Sequence, residues 1–174
     1  TITGNDIADC GNGGILVTRF TPGDDGTIVT GNRIAGIKSV NGGTGQWGNG
    51  VNVYQAHNVM VANNHIRDCA LSSIRANGTQ NLQMIANHCR GSGETALYVE
   101  FIFEGAVIAN NLVDGGTIGI SLANFNEGGR LAAVTGNVIR NLTNKLPYTN
   151  TGDFKPGIGI YAEADTTITG NVVE

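Results

Sequence analysis

An alternation of apolar and smaller or polar positions recurs seven times along the 174-residue chain. In each copy an apolar residue lies three positions before an asparagine, and another core-type residue lies two positions after it. A period of two indicates a strand, because successive side chains point to opposite faces of a sheet. The repeat therefore predicts one strand before and one after each of Asn5, Asn32, Asn64, Asn87, Asn111, Asn137 and Asn171.

A second alternating pattern follows each copy, and it predicts a third strand in every repeat. Its copies occupy residues 14–18, 50–54, 73–77, 96–100, 117–121 and 157–161. The repeat spacing varies while the pattern stays constant, which indicates a constant frame with loops of variable length. Three short strands per repeat, stacked repeat on repeat, predict a parallel β-solenoid of about six coils with about 4.8 Å between coils.

The repeated asparagine has a predicted structural role at the bend between two strands. A sharp bend requires a left-handed backbone conformation, and glycine or asparagine precedes the repeat asparagine in most copies. The asparagine amide both donates and accepts hydrogen bonds, so stacked copies are expected to form an inward ladder. The alternative is a row of asparagines in surface turns that are not bonded to one another.

These strands and asparagine turns resemble the right-handed parallel β-helix superfamily, to which pectate lyases belong. The resemblance covers the whole chain. It implies that the asparagine turn joins the second and third sheets and that a substrate groove lies over the first sheet, formed by the strands of the second pattern. The Thr-Gly-Asn-x-Ile copies are also similar to uncharacterised bacterial repeat proteins exported by the twin-arginine route, which implies a periplasmic or secreted location.

Composition agrees with an all-β chain and excludes several classes of protein. The 27 glycines suit many bends and disfavour helices, and only 14% of residues are charged, which excludes a disordered polyelectrolyte. A net charge of −4 gives no support for nucleic-acid binding. Without an apolar run of 18 residues, we expect no membrane span.

Length predicts one β-helix domain over residues 1–174. Both ends of the sequence fall inside repeats, and neither carries an amphipathic cap. An uncapped solenoid exposes open sheet edges. We therefore expect a fragment of a longer chain, with the rest of that protein or other chains as partners at the open ends.

Two long loops, residues 36–49 and 142–156, mark a candidate groove. Both follow the strand after a repeat asparagine and precede a strand of the second pattern, so they leave the solenoid at the same corner, four coils or about 19 Å apart. They would form the two walls of a trough, with Trp47 on one wall and Tyr148 and Phe154 on the other. In the superfamily that the chain resembles, loops at this corner flank the substrate groove.

The floor of that trough would be the outward positions of the first sheet. Alternation assigns to it Asn52, Tyr54, Arg75, Asn77, Tyr98, Glu100, Ser121 and Tyr161. Tyrosine, asparagine and arginine stack on and hydrogen-bond to sugars. The competing interpretation is an ordinary exposed sheet whose side chains stack from coil to coil.

Carboxylate spacing disfavours a hydrolase. The predicted floor carries only Glu100 and Glu163, two coils and two residues apart, or about 12 Å. Paired glycosidase carboxylates lie about 5 to 9.5 Å apart. Elimination remains conceivable, with Arg75 stabilising an enolate, Tyr98 or Tyr161 as the base, and Glu100 beside them.

No cofactor is expected. The aspartate cluster that would bind calcium on the first sheet is missing, and Asp24 with Asp25 in a neighbouring turn is only a weak calcium candidate. Cys10 and Cys69 share a repeat position two coils apart, roughly 9.6 Å and beyond disulfide reach, while Cys89 lies at an inward position. We interpret all three as buried thiols that act as small hydrophobes.

A second surface, just after the asparagines, carries basic residues. His65 and His88 are expected to stack in adjacent coils, flanked by Arg33, Arg67, Arg90 and Arg140. Stacked like charges repel, so neutral histidines are expected unless an anion binds. A metal pair would need a third ligand, which the sequence does not supply.

The function expected from the sequence is binding, or processing by elimination, of an extracytoplasmic polysaccharide on the first sheet. The substrate-binding residues would be Trp47, Asn52, Tyr54, Asn77 and Tyr148, and the catalytic ones Arg75, Tyr98, Glu100 and Tyr161. The alternative is a non-catalytic structural or surface repeat protein.

Overall fold

The computed structural model describes residues 1–42, 45–123, 127–143 and 157–174. In these ranges the chain forms twenty β-strands and no α-helix. The strands form three sheets, and each strand pairs in parallel with its counterpart one coil away. The predicted all-β parallel β-helix, with three strands in each of about six coils, is confirmed.

Each coil runs from the second sheet through the third to the first. The second sheet contains β1 (Ile2–Thr3), β4 (Ile28–Thr30), β7 (Met60–Ala62), β10 (Gln83–Ile85), β13 (Glu104–Ala109), β16 (Arg130–Thr135) and β19 (Thr166–Thr169). The third sheet contains β2 (Asp6–Ala8), β5 (Arg33–Ile37), β8 (His65–Cys69), β11 (His88–Ser92), β14 (Leu112–Gly116), β17 (Val138–Leu142) and β20 (Val172–Val173). The first sheet contains β3 (Gly13–Asp24), β6 (Asn49–His57), β9 (Ile74–Asn77), β12 (Thr95–Glu100), β15 (Ile118–Leu122) and β18 (Ile158–Ala162).

The core is a set of apolar columns, one from each sheet, that run along the solenoid axis. The second sheet supplies Val29, Val61, Met84, Ile108 and Val134; the third supplies Ile34, Ile66, Cys89, Val113 and Ile139; the first supplies Val51, Ile74, Leu97 and Ile120. All of them are buried, and within each column they are paired in register from coil to coil. Burial of these apolar surfaces is the main favourable term in folding such a chain.

The repeat asparagines form the predicted ladder. Asn32, Asn64, Asn87, Asn111 and Asn137 are at most 1% exposed. Each donates its side-chain Nδ2 to the Oδ1 of the asparagine one coil later, at 2.8–3.0 Å along the whole ladder from Asn5 to Asn171. Each Oδ1 also accepts the backbone amide of the previous asparagine. The interpretation as surface turns is therefore wrong for the five inner asparagines.

The bend that carries the ladder has the expected left-handed backbone. The residue before each repeat asparagine has a φ between +54° and +71°. Glycine or asparagine occupies this position in every coil except one, where Ala86 has a φ of +54°. An alanine here is strained, because its Cβ crowds the backbone in the left-handed region.

We expect Asn87→Ala to lower the free energy of unfolding by about 1–3 kcal/mol, measured by urea denaturation. The change leaves the Asn64 amide and the Val61 carbonyl unpaired in the core. Asn5→Ala is the matched control, because Asn5 is exposed and water can replace its partners. Equal losses in the two variants would contradict the role of the buried ladder.

We expect Ala86→Gly to raise the free energy of unfolding by about 1 kcal/mol, because glycine adopts a positive φ without strain. Ala109→Gly is the control, since β13 has no positive φ at that position. It should lower the free energy of unfolding by about 0.5–1 kcal/mol. If Ala86→Gly were destabilising in the same denaturation assay, the strain assigned to this turn would be excluded.

Candidate functional site

The outward face of the first sheet carries two columns of polar and aromatic side chains. Cross-strand pairing aligns Asn52, Arg75, Tyr98, Ser121 and Tyr161 in one column. The other column aligns Tyr54, Asn77 and Glu100. The residues assigned to the floor from the sequence thus lie on the same sheet.

The register between two coils differs from the sequence-based alignment by two residues. Tyr98 pairs with Ser121, which pairs with Tyr161, whereas the sequence pattern aligned Glu100 with those two residues. Glu163 consequently lies two coils from Glu100 without any further offset, and strand spacing puts their backbones about 9.6 Å apart. The expected separation of about 12 Å is therefore wrong. The alternating pattern could not reveal the error, because a two-residue slip in register keeps every side chain on its face of the sheet.

Arg75 and Glu100 form a buried ion pair at the centre of this face. Arg75 Nε donates to Glu100 Oε1 at 2.6 Å, Arg75 Nη2 contacts the same oxygen, and Asn77 Nδ2 donates to it at 3.1 Å. Arg75 is 8% exposed and Glu100 is 2% exposed. The guanidinium carbon also lies 5.1 Å from the centre of the Tyr98 ring, a cation–π distance. The sequence predicted an open floor, but here the floor is a closed polar network.

Gly45 explains why this part of the floor is covered. A Cβ built on Gly45 would lie 1.3 Å from Arg75 Nη1, so the backbone of the 36–49 loop rests on the guanidinium group. Only glycine permits such a close approach. This loop therefore packs over the sheet at Arg75 instead of standing as an open wall.

Burial raises the pKa of two side chains beside the ion pair, Glu94 and Tyr98. The pKa of Glu94 is raised by burial, an effect that the charge of Arg75 opposes and the charge of Glu100 reinforces. The pKa of Tyr98 is raised by burial and by the Glu100 carboxylate, against the opposing effect of Arg75. A tyrosine held in its protonated form is poorly suited to act as a base at neutral pH.

Sequence reasoning missed Glu94. It directly precedes β12 and belongs to no alternating pattern, so only its position at the corner beside the first sheet could have drawn attention to it. Its Oε2 and Arg75 Nη1 are both buried without a hydrogen-bond partner. Buried polar atoms without a partner are rare in folded proteins.

A pocket of about 240 Å³ lies beside the ion pair. It brings together four residues predicted for the site: Asn52, Tyr54, Arg75 and Asn77. Gly45 and Gln46 of the covering loop also line it, as does Phe101, which sequence reasoning missed. Tyr54 is 41% exposed and supplies the accessible aromatic surface. Trp47 is half-buried and does not line the pocket.

The other predicted residues lie apart from this pocket. Tyr161 is in β18, three coils from Arg75, and its hydroxyl donates to Glu163. The 142–156 loop leaves after β17 at the predicted corner, and β18 is four strands from β6 in the first sheet. Tyr148 and Phe154 lie outside the described residues, so the second wall of the trough stays a prediction.

The two candidate calcium ligands have other contacts. Asp24 accepts a hydrogen bond from Asn58 Nδ2, and Asp25 accepts one from the Thr27 backbone amide. In the part of the chain that the structure describes, no group of three or more His, Cys, Asp or Glu side chains could hold a metal ion.

Comparison with known proteins assigns the family. The family model described as a right handed beta helix region matches residues 23–174. Because this match covers most of the chain, the protein belongs to the right-handed β-helix family, in agreement with its three parallel sheets. No curated protein matches the chain. None of the described residues forms a helix that is long and apolar enough to cross a membrane.

The cysteines are free thiols, two of them in the core. Cys69 and Cys89 are buried, and Cys10 is half-buried. Burial raises the pKa of Cys89 to about 12, and a hydrogen bond with Ser73 opposes this shift only in part. Burial also raises the pKa of Cys69 to about 12, with a further contribution from Cys89.

We expect Cys69 and Cys89 to resist iodoacetamide at neutral pH in the folded protein, because only the thiolate reacts. All three cysteines should react after unfolding in urea. Mass spectrometry of the labelled peptides measures this, with Cys10 as the more accessible internal reference. Native labelling of Cys89 as fast as in urea would contradict the interpretation of an inert core thiol.

Proposed function

We propose that this β-helix binds a neutral polysaccharide at the pocket on the first sheet. The observation that supports it most directly is the grouping of Tyr54, Asn52 and Asn77 around one cavity beside Arg75. A partly exposed aromatic ring offers a stacking surface for a sugar, and amides bond to its hydroxyls as donors and acceptors. A solenoid repeats its surface along one axis, which suits a polymer better than an isolated small molecule.

The charge state of the pocket favours an uncharged sugar. Arg75 is already paired with Glu100, so its positive charge is compensated inside the protein. An acidic sugar would approach the Glu100 carboxylate as well as the guanidinium group. A neutral sugar avoids this repulsion, and its hydroxyls can still bond to the amides of Asn52 and Asn77. This refines the expectation from the sequence, which left acidic and neutral ligands open.

Binding without chemistry fits the pocket better than elimination. A lyase needs a free cation for the enolate and a base whose pKa lies near the working pH. Arg75 is engaged by Glu100, and the pKa of Tyr98 is raised. The same proposal includes an extracytoplasmic location, where structural polysaccharides are met.

A glycan array identifies the neutral ligand, and Tyr54→Ala then tests the pocket by calorimetry. We expect the variant to bind about tenfold more weakly, because it removes one stacking contact worth roughly 1.4 kcal/mol. Phe20→Ala is the matched control. Phe20 is also an exposed aromatic residue of the first sheet, but it does not line the pocket. Its removal should leave the affinity unchanged.

The competing function is that of a non-catalytic structural repeat. Its support is the buried Arg75–Glu100 ion pair, since stability of the sheet is a sufficient reason for charged groups to be bonded to each other. This alternative predicts that no glycan on the array binds the protein, or that Tyr54→Ala and Phe20→Ala change the binding affinity equally. Formation of ultraviolet-absorbing unsaturated product from a polyuronate would instead establish elimination and overturn both readings.

A further inference from the structure

A second and larger groove lies on the outward face of the third sheet. Its volume is about 560 Å³, more than twice that of the first-sheet pocket. The side chains that line it include Arg33, His65, Arg67, His88 and Arg90, from three successive coils. Ala8 and Ala35 occupy the same column as Arg67 and Arg90, so small side chains make room beside long basic ones.

Like residues are stacked in register in this groove. Arg67 pairs with Arg90, and Arg33 pairs with His65, which pairs with His88. The two imidazole rings meet edge to face, with their centres 5.5 Å apart. Like charges directly opposite each other on a sheet are destabilising. Negatively charged groups beside the arginines would offset the repulsion between them.

The protein itself neutralises only part of this charge. Arg67 is bonded to Asp68 at 2.7 Å, and in the next coils Arg140 is bonded to Asp114 at 2.9 Å. Arg33 and Arg90 form no ion pair with any residue in the described ranges, although Asp6 stands next to Arg33 and Asp114 next to Arg90 in register. Asp6 also lines the groove, but three arginines line it too, so the lining is basic on a chain whose net charge is −4.

We propose that this groove binds an anionic polysaccharide, one that carries sulfate or carboxylate groups, along the solenoid axis. Arg33 and Arg90 bind two separate anionic groups of the polymer, and His65 and His88 line the path between them. The two arginines lie two coils apart, so strand spacing of about 4.8 Å per coil puts their backbones about 9.6 Å apart along the solenoid axis. Guanidinium groups bind carboxylate and sulfate oxygens through paired N–H donors.

This ligand is distinct from the neutral one proposed for the first sheet. The two grooves lie on different faces of the solenoid, and none of the residues that line one of them lines the other. Loss of either activity can therefore be measured without loss of the other.

The test compares dextran sulfate with unsulfated dextran of the same length, by calorimetry on the whole chain. We expect wild-type protein to bind dextran sulfate and not dextran at this groove. The double variant Arg33→Gln/Arg90→Gln should weaken binding of dextran sulfate by about tenfold, because it removes two exposed charges. Arg130→Gln is the matched control on the second sheet, and Tyr54→Ala is the control for the first-sheet pocket; neither should change this affinity.

Several outcomes would overturn the proposal. If Arg33→Gln/Arg90→Gln and Arg130→Gln weakened the binding of dextran sulfate equally, the effect would come from net charge and not from this groove. Equal binding of the two dextrans would exclude recognition of the anionic groups. Binding to vesicles of anionic phospholipid that is tighter than to dextran sulfate, and lost in the double variant, would assign the groove to a membrane surface. A thermal unfolding midpoint unchanged in the double variant confirms that the fold is intact.

Discussion

The hydrogen-bonded ladder of asparagines is the interaction on which this architecture depends. The left-handed bend before each repeat asparagine turns backbone amides and carbonyls toward the core, where water cannot satisfy them. An asparagine amide offers both a donor pair and an acceptor, so each copy bonds backbone groups of the preceding coil and the asparagine side chain of the next. Because the ladder requires this turn in every coil, length variation is left to the other two corners, and the longest loops lie between the third and first sheets. The long loops, and with them the candidate pocket, follow from that restriction.

The two grooves show how one frame supports different surface chemistry. Inward positions are constrained by packing from coil to coil, but outward positions are free to vary. On the first sheet, the buried pair of Arg75 and Glu100 withdraws charge from the surface and leaves an aromatic and amide pocket. On the third sheet, Arg33 and Arg90 form no ion pair with the described residues, so their positive charges stay at the surface. Ion pairing inside the protein, more than residue type, thus distinguishes the surface proposed for neutral ligands from the one proposed for anions.

Much of the candidate site was predictable, and the errors have identifiable causes. Alternation correctly assigned Asn52, Tyr54, Arg75 and Asn77 to one face, because side-chain direction in a strand is a local property. The burial of Arg75 was not predictable, since it depends on Gly45 in a loop that approaches from another part of the coil. Glu94 was missed for a similar reason: its burial arises from neighbours distant in sequence.

The sequence by itself determined the three-strand coil, the direction of each side chain and the position of the ladder, because each of these follows from a short repeating pattern. Only the tertiary structure decided the register between β12 and β15, since a two-residue slip changes which side chains are neighbours but not which face they occupy. It also decided which charges are paired and which remain available. Those properties depend on distances between residues in different coils, and the alternating pattern within one strand does not specify such distances.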